Sequence, residues 1–161
     1  MPESSPKTEL RKTVETDLET LFNFQLDDEY NCQAAFTATN YSDKKAYLEK
    51  WTRHLTNPSI HSQTILVNGE IAGSVAKYEM DGEPQITYGI GKQFWGKGIA
   101  TQALQAFLKL EKTRPIFGRT AFDNSRSERV LQKCGFEKIG TEISFANARE
   151  KEIEEFIFKL S

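Results

Sequence analysis

The chain is poor in the features of secreted, metal-bound, membrane-spanning and nucleic-acid-binding proteins. It has only two cysteines, Cys32 and Cys134, far apart and in no CxxC or Cys/His spacing. A disulfide framework and a structural zinc site are therefore not expected, and two free thiols in a reducing compartment are. A single bridge between the two cysteines stays open. Its two histidines, His54 and His61, lie near Pro58 without partner ligands at useful spacing. They read as surface or helix-end residues, and no metal is expected. No apolar run approaches the roughly 20 residues of a membrane span. The start, Met1-Pro2-Glu3-Ser4-Ser5-Pro6, lacks the basic and apolar stretches of a secretory leader, so the expected compartment is the cytoplasm. With a net charge of −2 the chain has no basic excess, so nucleic acid is not an expected partner.

What is present fits one soluble domain. Hydrophobic residues at 38% and charged residues at 27% are neither disordered nor fibrous in balance. A length of 161 residues suits a single core. Residues 1–7 read as a frayed end and 8–161 as the domain.

The order of elements follows from periodicity and turn residues. Thr8 to Thr13 reads as a strand. Thr16 or Asp17 can cap a helix to about Leu26, with Leu18, Leu21, Phe22 and Leu26 on one face. Ser42 can cap a second helix to about Leu55, stopped by Asn57-Pro58. Asn68-Gly69 between β-type runs predicts a tight hairpin, and Asp81-Gly82 a second turn, giving three antiparallel strands up to Ile90. A helix follows over Ile99 to Lys112, with Ile99, Ala103, Phe107 and Leu110 on one face. A strand from Pro115 to Phe122, a short helix from Ser125 to Lys133 and two closing strands complete an α+β arrangement of mixed sheet and helices.

The chemistry points to the segment between Ile90 and Ile99, Gly91-Lys92-Gln93-Phe94-Trp95-Gly96-Lys97-Gly98. A glycine-containing turn at a helix N-terminus offers unpaired amides and the positive end of a helix dipole, which suits a pyrophosphate. Gly96 and Gly98 let main chain approach an oxygen closely, and Lys97 adds charge. The spacing is nearly that of a nucleotide-triphosphate loop. Gly98, however, stands where that motif needs a Ser or Thr for Mg²⁺, and the GxGxxG dinucleotide pattern is absent. A tight connection without a ligand is the alternative on the loop alone.

Gln93-Phe94-Trp95-Gly96-Lys97-Gly98 resembles the Q/R-x-x-G-x-G/A signature of the GNAT acetyltransferases. Its extension through Ile99-Ala100-Thr101 is similar to the Rim-type branch that acetylates ribosomal-protein N-termini. Asn124-x-x-Ser127, followed by Leu131, Lys133, Gly135 and Phe136, resembles the family's second motif. The resemblance covers nearly the whole chain. It implies a mixed, mostly antiparallel twisted sheet of six to seven strands with about four helices, splayed where the cosubstrate lies. It also implies acetyl-CoA as cosubstrate and an amine as acceptor. Pantetheine would pair with main chain near Tyr88 to Ile90. The pyrophosphate would rest on amides from Gln93 to about Ala100, within a site formed by Gln93, Trp95, Gly96, Lys97, Gly98 and Ile99. Ala100, Thr101, Asn124 and Lys133 would complete it.

The same resemblance exposes two departures. The strand position that often carries a glutamate base is Gln85, with Glu83 the nearest carboxylate on that strand face. The helix position that often carries a tyrosine acid is Leu131. Glu83, acting through water, is the candidate base; its alternative is a solvated charge beside the Asp81-Gly82 turn. Gln85 can orient water. Asn124 and Ser127 can hold the sulfur or relay a proton, with N-capping of the helix from Ser125 as the competing role. The expected acceptor is a protein N-terminus or small-molecule α-amine, since a lysine amine at about 10.4 needs more help to lose its proton than an α-amine near 7.7–8.0. A CoA-binding sensor or interaction module on the same fold is the main rival, and a phosphotransferase using Gly91–Lys97 the other. The acidic cluster Asp27, Asp28 and Glu29 reads as a solvated loop, and a homodimer could form through the apolar last strand.

Overall fold

A computed structural model describes residues 7–27, 29–30 and 42–161. Seven strands form one sheet in the order β1-β2-β3-β4-β5-β7-β6. The strands are β1 (Thr8–Lys12), β2 (His61–Val67), β3 (Glu70–Met80), β4 (Glu83–Ile90), β5 (Ile116–Ala121), β6 (Glu137–Ala146) and β7 (Lys151–Leu160). Four helices are defined among the described residues: α1 (Leu18–Gln25), α2 (Lys44–Thr56), α3 (Ile99–Leu110) and α4 (Ser125–Lys133). The expected α+β class, strand number and helix number are observed.

Turn chemistry sets the meander. Asn68 and Gly69 take φ of 51° and 85°, and Asp81 and Gly82 take 52° and 79°. Both turns thus have two successive left-handed residues, the geometry that matches the right-handed twist of a hairpin. The meander β1 to β4 is antiparallel throughout. β4 and β5 are parallel, and their ladder has a single pair, Gln85 with Phe117. Beyond that pair β4 runs on to Ile90 without a partner from β5, which is the expected splay.

The core lies between the sheet and α3. Ile99, Ala103, Leu104, Phe107 and Leu108 are buried against Ile65, Val75, Ile90, Ile116 and Phe158. Leu110, expected on this face, is 56% exposed because α3 ends there, and Leu104 and Leu108 widen the stripe instead. Leu26 is likewise exposed at the end of α1. Alternation along β4 sends Ile86, Tyr88 and Ile90 toward α3 and α4, and leaves Gln85, Thr87 and Gly89 on the face covered by α1 and α2.

Two expected caps differ. Asp43, not Ser42, caps α2, its carboxylate accepting from the Ala46 N–H at 3.1 Å. Asp17 stands at the N-terminus of α1 without capping it. Its buried carboxylate accepts instead from Arg11 at 2.6 and 2.8 Å, from the Val14 N–H at 3.0 Å and from the Thr64 hydroxyl at 2.9 Å. A carboxylate with that many donors is better satisfied there than at a helix end. Cys32 and Asp28 lie outside the described residues. Cys134 is half-buried, its Sγ 3.8 Å from the Thr101 carbonyl, and burial pushes its thiol up to about 11. That suits packing rather than nucleophilic attack.

Candidate active site

The glycine loop folds in two stages. Lys92–Phe94 forms a 3-10 turn in which the N–H groups of Phe94 and Trp95 donate to Gly91 and Lys92 carbonyls at 2.8 and 3.1 Å. Those two amides, expected among the pyrophosphate donors, are thus already engaged. The amides left open for an anion are those of the segment that follows. Gly96 and Gly98 take φ of 78° and 74°, left-handed values that cost L-residues energy. Gly98 is the N-cap of α3 and brings no capping side chain, and the first bond of the helix ladder is Gln102 N–H to Gly98 carbonyl. The amides of Ile99, Ala100 and Thr101 precede that bond and face the loop.

These residues open onto a cavity of about 440 Å³ between β4, the loop, α3 and α4. Tyr88 and Ile90 line it from β4, and Trp95, Gly96 and Gly98 from the loop. Ile99, Ala100 and Thr101 contribute the first turn of α3, and Asn124, Ser127 and Lys133 come from the start and end of α4. Gln93 and Lys97 are not among its lining residues; Lys97 Nζ lies 5.9 Å from the Phe94 ring centroid. Arg126 and Arg129, unremarked in the sequence, join Lys133 on the α4 side. Arg126 stacks its guanidinium 4.2 Å from the Trp95 ring centroid, and the Trp95 indole N–H donates to the Ile90 carbonyl at 2.8 Å. Trp95 therefore both packs and shapes the wall.

Main-chain direction on β4 is readable from its bonds. The Gly91 N–H turns toward β3, donating to Ala72 at 2.8 Å, whereas the Ile90 carbonyl meets Trp95 on the opposite side. Strand alternation then points the N–H groups of Ile90 and Tyr88 into the gap between β4 and β5.

The candidate catalytic residues separate. Asn124 caps α4, its Oδ1 accepting from the Ser127 N–H at 3.2 Å, so the capping role holds for it. Ser127 Oγ lies 2.8 Å from the Tyr88 hydroxyl, which also approaches the Ser127 carbonyl at 3.3 Å. Burial pushes the Tyr88 phenol well above its ordinary value, and the bond to Ser127 only partly opposes this. Leu131 is 1% exposed and packs over Gly118, with no polar atom to offer. Gln85 is buried where β4 meets β5. Glu83 is exposed at the opposite end of β4, paired with Met80, and lines no described cavity. Its carboxylate stands roughly 20 Å along the strand from Ile90, which sets it apart from the expected base role.

A second, smaller cavity of about 110 Å³ lies on the other face of β4. It shares Tyr30, Tyr88 and Gly89 with the first. The Tyr30 hydroxyl rests on Gly89 so closely that a Cβ there would collide with it. Burial pushes the Tyr30 phenol up to about 12, so it stays protonated. Leu21 and Phe24 from α1 and Tyr47 and Trp51 from α2 supply the outer wall. Nearby, Lys92 pairs with Glu29 at 2.7 Å and lies 4.0 Å from Asp27, which accounts for much of the acidic cluster.

Residues 7–137 match the acetyltransferase (GNAT) domain family. The chain belongs to that family. A GNAT relative by sequence is the uncharacterized N-acetyltransferase p20 of Bacillus licheniformis, 29% identical over 85 residues. That match covers 50% of this chain and 47% of p20, so the chain spans about half the length of the curated relative it matches. Among solved structures, the Vibrio cholerae spermidine N-acetyltransferase in complex with CoA and spermine superposes with a TM-score of 0.78 at 17% identity, covering 94% and 95% of the two chains. The ribosomal-protein-S5-alanine acetyltransferase of Vibrio fischeri gives 0.75 at 15%, covering 95% and 92%. GNAT folds with polyamine and ribosomal-protein acceptors thus fit about equally, and neither likeness selects an acceptor. Among the described residues no three potential metal ligands gather, and no helix is long and apolar enough to cross a membrane.

Proposed function

We propose that this GNAT chain transfers an acetyl group from acetyl-CoA to a primary amine, with α-amines of protein N-termini or small molecules preferred. The observation that carries the reading is the continuous path from the open N-terminus of α3, through the gap beside Ile90, to the Tyr88–Ser127 pair. The diphosphate would sit on the amides from Gly96 to Thr101, with Arg126, Arg129 and Lys133 supplying positive charge.

The chemistry is direct attack in a ternary complex. The neutral amine nitrogen forms a bond to the thioester carbon as negative charge develops on the carbonyl oxygen, and the Ile90 N–H in the gap can donate to that oxygen. Collapse breaks the C–S bond; the thiolate takes a proton through the Tyr88–Ser127 pair, the new amide loses its extra proton to solvent, and the pair takes one proton back from solvent, so that each turnover leaves it as it began. With no carboxylate among the described lining residues of either cavity, the amine must arrive neutral or lose its proton to water. This favours an α-amine near 7.7–8.0 over a lysine amine near 10.4.

That same lack of a carboxylate supports the second reading, a CoA-binding module without catalysis. Free-thiol release from acetyl-CoA with a panel of amines separates the two. Release with α-amines, faster than with lysine side chains, supports transfer. Tight acetyl-CoA binding without release from any amine supports the module. The last strand, β7, is paired on both sides by β5 and β6 and offers no free edge for the expected homodimer; the exposed Ile143 and Phe145 on the sheet-edge strand β6 support one there instead, testable by sedimentation.

A further inference from the structure

We propose that the 110 Å³ cavity on the α1–α2 face of β4 receives the side chain adjoining the reacting amine, and that it selects aromatic or branched aliphatic side chains over charged or absent ones. The inference rests on the acetyl-transfer reading and specifies its acceptor.

Position comes first. The two cavities meet at Tyr30, Tyr88 and Gly89, one residue before the Ile90 amide. An amine at that junction is beside the thioester carbon, and whatever is attached to it must extend away from the cosubstrate, onto the face where Ser74, Ala76 and Thr87 form the floor. The cavity lies there.

Lining chemistry comes second. Leu21, Phe24, Tyr47, Trp51 and Ala76 give it an apolar, largely aromatic wall. Phe22, Tyr47 and Trp51 stack in sequence, with ring centroids 5.2 and 6.0 Å apart, and the Trp51 ring meets His54 edge-on at 4.9 Å. Such a stack gives the α2 wall a fixed shape. The remaining lining groups are neutral: Gln25, Ser74, Thr87 and the tyrosine hydroxyls. No charged side chain of the described residues lines it, and the carboxylates of Asp27 and Glu29 face Lys92. A polyamine or an aspartate side chain would leave water without a counter-ion here, an unfavourable exchange.

Size comes third. An apolar protein cavity of about 150 Å³ holds benzene. A partly open space of about 110 Å³ therefore suits a phenyl or isobutyl group. Glycine would leave it unfilled, losing the transfer of apolar surface out of water.

The test is thiol release from saturating acetyl-CoA with phenylalaninamide, leucinamide, glycinamide, aspartic diamide and spermidine. These amides carry comparable α-amines, so kcat/KM reports the side chain. The expected result is at least a roughly tenfold preference for phenylalaninamide and leucinamide over glycinamide, in the range that apolar pockets achieve. Ala76→Leu, which fills the cavity, should reduce the phenylalaninamide-to-glycinamide ratio about tenfold. Trp51→Ala on α2, which removes a wall without touching the core, should reduce it as well. Acetyl-CoA binding by calorimetry verifies that each variant is folded. Equal or faster turnover of spermidine or glycinamide overturns this inference and leaves acetyl transfer standing. An unchanged ratio in both variants does the same. Acetyl-CoA binding with no thiol release from any amine overturns both.

Discussion

The Tyr88 hydroxyl and Ser127 Oγ stand 2.8 Å apart across the cleft between β4 and α4. Burial keeps that phenol protonated, whereas Leu131, one turn further along α4, has no polar atom. Tyr88→Phe and Ser127→Ala are each expected to lower kcat about a hundredfold, with a smaller change in the KM for acetyl-CoA. The double variant should be little worse than the poorer single one, as for residues that act as a unit. Steady-state kinetics of the four proteins checks this.

Gly98 sits at φ 74° with open space around a built Cβ, so substitution strains the backbone without striking protein. Gly98→Ala should weaken acetyl-CoA binding about tenfold by tilting the first amides of α3 and crowding the anion. Calorimetric Kd is the measurement.

Gly89 and Tyr30 make a size-matched pair. Gly89→Ala is expected to displace the phenol and lower turnover about tenfold or more. Tyr30→Phe in the same chain, by removing the colliding hydroxyl, should restore much of that loss, since neighbouring substitutions couple. Comparing the rates of the single and double variants tests it.

Asp17 links β1, β2 and the start of α1. Burial favours its neutral form, but bonds from Arg11, the Val14 N–H and the Thr64 hydroxyl outweigh this and hold it below the ordinary carboxylate value of about 3.9. A depressed folded value contributes stability that is complete above the unfolded value and is lost as pH falls through the folded one. Asp17→Asn should cost about 1–2 kcal/mol at pH 7, since Arg11 is exposed enough to be resolvated, and flatten the loss of stability below pH 4, both measurable by urea unfolding.

Much of this geometry was legible in local sequence. Asn68-Gly69 and Asp81-Gly82 have side chains and glycines that tolerate left-handed turns, so the meander could be read directly. Gly96 and Gly98 marked the left-handed turn before α3 for the same reason. That the Phe94 and Trp95 amides donate within the loop is not legible locally, because a 3-10 turn leaves no periodic mark. Glu83 shares a strand face with Gln85, but it opens β4 and Ile90 ends it, so a shared face does not bring its carboxylate to the gap. Asp17 looked like a cap because nothing local announces Arg11 and Thr64 converging on it. The second cavity had no linear signature at all: Phe24, Tyr47, Trp51 and Ala76 come from two helices and a strand, each with an ordinary reason to be apolar.

Gln85 and Phe117 form the only rung between β4 and β5. A backbone left without a neighbour beyond that rung exchanges its amide hydrogens with water, and a pantetheine chain lying in the gap would take over the bonding of a missing strand. Loading the cosubstrate would then complete the sheet, slowing hydrogen exchange at Tyr88 and Ile90 far from any change in side-chain packing. Every turnover would have to peel that surrogate strand away again before product could leave.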